Sequence, residues 1–143
     1  GIFVIEFGAR IGGGDSFRII ELATGFDIID ASIRSFLGES VDFSAWHEAE
    51  FRYADNYLYV RPGAMGEITG CERFLADGTL EYVVPFKKHG TQVGPGLSSN
   101  NRVGVFTVKA RDEAGLFDKM NRVLAAMDIT DAEGRSMMRK DIY

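Results

Sequence analysis

The chain has 143 residues, with 16 Lys and Arg against 21 Asp and Glu and a formal net charge of −5. That is about the length of one domain, and 45% hydrophobic with 26% charged residues is an ordinary globular composition. The acidic balance excludes wholesale binding to a nucleic-acid backbone, and no apolar run approaches the roughly 20 residues of a membrane span.

One cysteine, Cys71, leaves no internal disulfide and no thiolate cluster for zinc, so a reducing, cytoplasmic setting is expected. The opening GIFVIEFGAR lacks the basic region and cleavage site of a signal peptide. It starts without Met, straight into a strand pattern, which predicts a piece of a longer protein.

In chain order, residues 2–11 alternate as a strand, with Phe3, Ile5, Phe7, Ala9 and Ile11 on one apolar face. Gly12, Gly13 and Gly14 break it. Asp15 or Ser16 caps a short helix to about Ala23, with Gly25 past its end. Asp27 caps a second from Ile28 to Leu37, stopped by Gly38, whose Ile29, Ile33, Phe36 and Leu37 form a core-facing stripe.

A polar stretch over 40–50 is the expected boundary, so the domains are 1–50 and 51–143. Beyond it, strands are predicted at Asn56–Arg61, Gly66–Leu75 and Leu80–Lys87, the last two joined as a hairpin through Asp77-Gly78. A loop over Gly90–Asn101, a strand at Arg102–Ala110 and a helix of about 15 residues capped by Asp112 follow. Leu116, Phe117, Met120, Val123, Leu124 and Met127 make that helix's apolar face. Asp131–Gly134 reads as a turn, and the tail MMRKDIY as an edge strand or a free end. A chain opening in a strand exposes a sheet edge, which favours self-association as a homodimer.

Chemistry concentrates at Glu6, Gly8 and Arg10, which alternation places on one face with a gap between acid and guanidinium. A strand carboxylate in an apolar segment needs a partner. The residues alone leave two readings open: a same-face ion pair before a plain turn, or an anion and metal site. In the second, Glu6 offers oxygen to Mg²⁺, Arg10 its donor fork, and the glycines their backbone N–H groups.

VIEFGARIGGGDSFRIIELATGFDIIDASIRSFLGE resembles the C-terminal end of an ATP-grasp catalytic domain over about forty residues. In that superfamily a strand carries Glu-x-Asn-x-Arg before a glycine loop and two helices. The GARIGGG wording is most similar to the L-amino acid ligase and biotin carboxylase-like groups. RVGVFTVKARDEAGLFDKMNRVLAAMDI looks like the closing strand and helix of their C-terminal domain.

The resemblance implies an α+β fold: the terminal strand, loop and helices of an ATP-grasp domain, then a mainly antiparallel β-rich domain with one long helix. It implies ATP and Mg²⁺ as cofactors, Glu6 as metal ligand, Arg10 as the catalytic residue at the transferring phosphoryl group, and Gly12–Gly14 as cofactor-binding. Gly8 stands where the family has Asn, which leaves its second metal without that ligand. The implied reaction activates a small-molecule carboxylate as an acyl phosphate for attack by an amine. The lysines and adenine pocket come from upstream, so the remainder of the polypeptide is the implied partner and the piece alone is inactive. The alternative is a non-catalytic α+β binding or assembly module.

Other residues have plain readings. Cys71 fits a small core residue, His47 and His89 surface or capping roles, and Ser98–Arg102 a mobile loop. Lys87-Lys88-His89 is a solvated strand end or a positive patch. Arg18 faces solvent, and Trp46 with Phe43 and Phe51 is a packing anchor.

Overall fold

Glycine and aspartate punctuate the chain, and most of the helix boundaries follow them. The computed structural model describes residues 11–143, and the chain divides into two units, Gly1–Glu50 and Phe51–Tyr143. Residues 2–10 of the expected opening strand lie outside the described residues.

In the first unit α1 spans Ser16–Thr24 and α2 Ile28–Phe36. The backbone N–H of Gly25 bonds the Glu21 carbonyl and closes α1. The Asp27 side chain accepts from the N–H groups of Ile29 and Asp30, both at 2.9 Å, and starts α2. The stripe expected to face a core does not. Ile33, Phe36 and Leu37 are 55%, 86% and 68% exposed, and Ala31 is the buried residue of α2. Phe26 stacks on Phe43 with ring centroids 5.0 Å apart.

The second unit holds two three-stranded antiparallel sheets and one long helix, an α+β arrangement. Its elements are β1 (Arg52–Leu58), β2 (Gly63–Thr69), α3 (Glu72–Ala76), β3 (Tyr82–Pro85), β4 (Gln92–Val93), β5 (Gly104–Ala110), α4 (Glu113–Ala126) and β6 (Asp128–Asp131). The strand orders are β1-β5-β3 and β4-β2-β6. The run VFTVKA of β5, rich in β-branched and aromatic residues, suits a central strand, and Gly104 to Val108 are buried. Asp112 accepts from the Gly115 N–H at 2.8 Å and starts α4. Phe106 and Val108 on one sheet, Ile129 on the other and Val123 on α4 are fully buried in one core. Phe117 is 53% exposed and stands off the apolar face expected of it.

Several expectations are corrected here. The predicted strand Gly66–Leu75 ends at Thr69 and turns into α3. Gly70 sits at φ +80°, and a Cβ there would overlap the Ala126 carbonyl, so this position requires glycine and ends the strand. Asp77-Gly78 closes α3 and makes no hairpin: Asp77 accepts from the Thr79 N–H at 2.9 Å, and β3 pairs with β5. The expected loop contains β4 and a 3₁₀ turn at Ser99–Asn101.

The tail does not trail free: the Arg61 N–H donates to the Met137 carbonyl at 2.7 Å and the Arg139 N–H to the Tyr59 carbonyl at 2.9 Å, a short antiparallel pairing with residues 59–61. Met137 and Met138 are buried, Val60 bridges Met138, and residues 140–142 form a 3₁₀ turn. The Tyr143 hydroxyl donates to the Tyr57 carbonyl at 2.8 Å and accepts from the Tyr59 N–H at 3.3 Å. Among the described residues no helix is long and apolar enough to cross a membrane.

Candidate functional site

The glycine loop runs directly into α1. Gly14 has φ +74°, and nothing stands within 4 Å of where a Cβ on Gly13 would be, so the backbone there is open to close approach. The Ser16 hydroxyl folds back and donates to the carbonyls of Gly12 at 3.1 Å and Gly13 at 3.3 Å. This ties the loop to the start of α1, where the Arg18 N–H donates to the Asp15 carbonyl at 3.0 Å and the two N–H groups before it have no intrahelical acceptor. Asp15 occupies the capping position without capping, its backbone at φ −101°, ψ 17°. Its carboxylate instead accepts from Arg18 Nε at 3.1 Å. An anion reaching the loop therefore meets a compensated carboxylate, not a bare one.

Glu6, Gly8 and Arg10, on which the expected metal and phosphoryl chemistry rests, lie outside the described residues. Of the expected site residues, Gly12, Gly13 and Gly14 are described, and the chain brings them together at the start of α1. Arg18 is exposed on α1, as expected, and also pairs with Asp15.

The remaining candidates divide cleanly. The His47 N–H donates to the Thr24 carbonyl at 2.9 Å, and its ring Nδ1 lies 3.0 Å from the Glu48 carbonyl, so it fastens the chain after α1. Cys71 is buried at the start of α3, and burial pushes its thiol above the usual range. His89 Nδ1 lies 3.0 Å from Glu67 Oε1 at the surface. Lys87 and Lys88 form no ion pair among the described residues. No group of three His, Cys, Asp or Glu could hold a metal among the described residues.

Sequence reasoning missed a polar row across the first sheet. Asp55 on β1, Thr107 on β5 and Tyr82 on β3 stand in register. Thr107, fully buried, donates to Asp55 Oδ1 at 2.5 Å, and Tyr82 reaches the same oxygen at 3.5 Å. Beside it Lys109 Nζ donates to Glu81 at 3.0 Å, which holds the ammonium pKa above its ordinary value. Arg102 lies over the Tyr57 ring at 3.9 Å and donates to the Tyr59 hydroxyl at 3.1 Å. The alternation of Thr107 and Lys109 with Phe106 and Val108 was the available signal. It marks a face, but it does not reveal partners 25 and more residues away.

No protein-family model and no curated protein match the chain. Solved structures resemble it, three of them as follows. L-amino acid ligase from Bacillus licheniformis matches with a TM-score of 0.72 and 22% identity, over 90% of this chain and 34% of that one. Phosphoribosylglycinamide synthetase from Anaerococcus prevotii gives 0.71 and 17%, over 85% and 32%. N5-carboxyaminoimidazole ribonucleotide synthetase from Thermotoga maritima gives 0.57 and 19%, over 82% and 31%. The likeness is one of fold, and the chain spans about a third of each structure's length.

Proposed function

We propose that the chain is the C-terminal part of an ATP- and Mg²⁺-dependent ligase of the ATP-grasp type, residues 1–50 ending its catalytic domain and 51–143 forming its β-rich C-terminal domain. The observation that carries the reading is the fold likeness to a ligase and two synthetases over 82–90% of the chain. The glycine loop supports it independently, because its open backbone and the helix start behind it suit a phosphate group. The exposed apolar stripe on α2 supports a partner surface in the remainder of the polypeptide.

In this reading Glu6 holds Mg²⁺, Arg10 faces the transferring phosphoryl group, and Gly12–Gly14 border the nucleotide phosphates. When bound, Mg²⁺ would supply charge neutralisation at the phosphates. Arg10 offsets charge on the phosphoryl oxygens, and the Asp15–Arg18 pair keeps the helix start from repelling the phosphates. A substrate carboxylate oxygen bonds to the γ-phosphorus as ADP leaves. An amine then attacks the acyl carbon, and phosphate departs with that oxygen.

The test uses the full-length protein that carries this sequence, screened with amino acids for nucleotide-dependent phosphate release. Glu6→Gln and Arg10→Met should each cut the rate by orders of magnitude, about a hundredfold or more for a charge aimed at the transition state. Near-normal rates in both variants would leave Glu6 and Arg10 as a structural ion pair and favour a non-catalytic module.

A further inference from the structure

The two sheets of the second unit leave a seam. β2 bonds β4 and β6, β3 bonds β5, and no ladder joins β2 to β3. Between them lies a cleft of about 650 Å³, within the size range of small-molecule sites. Its wall is apolar, with Met65, Ile68, Leu75, Val83 and Phe86. Its polar side carries Lys87, Lys88, His89 and Glu67. The His89–Glu67 contact occupies that carboxylate, while both lysines remain without an ion-pair partner among the described residues. A cationic pair in a chain of net charge −5 runs against the global field.

We propose that this cleft binds a small amphipathic carboxylate, its apolar body between β2 and β3 and its charged end at Lys87 and Lys88. An apolar wall with a few convergent polar groups is how such sites combine affinity with orientation. A monoanion fits better than a phosphate dianion, because Glu67 stands at the same cleft and no arginine fork lines it. The sequence alone offered the lysines as a strand end or a patch. The seam gives them an apolar cavity to serve. The site is independent of Glu6 and Arg10 and of the ligase reading.

The 143-residue chain, isotope-labelled for NMR, is titrated with octanoate, and with acetate and octanol as head-only and tail-only probes. Octanoate should give saturable shifts centred on Ile68, Leu75 and Val83, with acetate and octanol at least about tenfold weaker. The Lys87→Glu/Lys88→Glu variant should weaken octanoate by about tenfold or more. Should that reversal disturb the fold, Lys87→Met/Lys88→Met carries the same expectation. Absence of saturable shifts, shifts centred elsewhere, octanol binding as well as octanoate, or affinity unchanged in a folded lysine variant would each overturn the proposal.

Discussion

Tyr143 shows how one side chain can hold a terminus. Its hydroxyl bonds the Tyr57 carbonyl and the Tyr59 N–H, and the desolvation this requires pushes its pKa up to about 12. The folded value lies above the ordinary tyrosine value of about 10. Its contribution is therefore fully present below that pH and is lost as pH rises through about 12. Tyr143→Phe should cost about 1 kcal/mol in chemical denaturation and remove the latest phase of the ultraviolet phenolate titration. An unchanged titration curve would refute the anchor. Asp141 works at the other end of the scale, its hydrogen bonds from Arg139 lowering it to about 2. That contribution is present above the ordinary carboxylate value and fades as pH falls through about 2. Cys71 is the converse of a reactive thiol. Burial and a raised pKa predict native alkylation by iodoacetamide at least about tenfold slower than in denaturant. Equal rates would contradict it.

At the scale of elements, Gly70 decides where β2 stops. Gly70→Ala combines a strained positive φ with overlap onto the Ala126 carbonyl, and should destabilise by several kcal/mol, on the order of 3, in thermal or urea unfolding. A loss of under about 0.5 kcal/mol would mean the α4–β6 corner yields freely. This is also where sequence reading fell short. Helix starts were legible because Asp27 and Asp112 bond the N–H groups that their position predicts. The central strand β5 was legible from its β-branched run. Residues 70–76 were not, because Ile68 to Leu75 carry an apolar pattern that fits a strand, and the glycine break is fixed by a carbonyl some fifty-six positions away. Asp77-Gly78 suited a hairpin equally well as a helix end. Register across β1, β5 and β3, and with it the Asp55–Thr107–Tyr82 row, was illegible for the same reason: partners distant in sequence decide it. Of the expected site, the loop at Gly12–Gly14 was legible, while the Asp15–Arg18 pairing that displaced the expected cap was not.

On the scale of the whole molecule, the exposed α2 stripe sets what the chain does in isolation. Ile33, Phe36 and Leu37 form a patch of the kind that seeks a partner. The 143-residue chain should self-associate with rising concentration, and Phe36→Asp should reduce this in size-exclusion chromatography with light scattering. A wild-type chain that stays monomeric at high concentration would contradict the partner surface. The larger claim is the ligase reaction proposed above, which Glu6, Arg10 and the glycine loop would serve. Activation as an acyl phosphate leaves an isotopic record, because one carboxylate oxygen departs with phosphate. The full-length protein is therefore supplied with ATP, Mg²⁺, an amine and a heavy-oxygen-labelled carboxylate that stimulates phosphate release. Mass spectrometry of the phosphate should find one labelled oxygen per product bond formed; phosphate carrying no label would contradict the account.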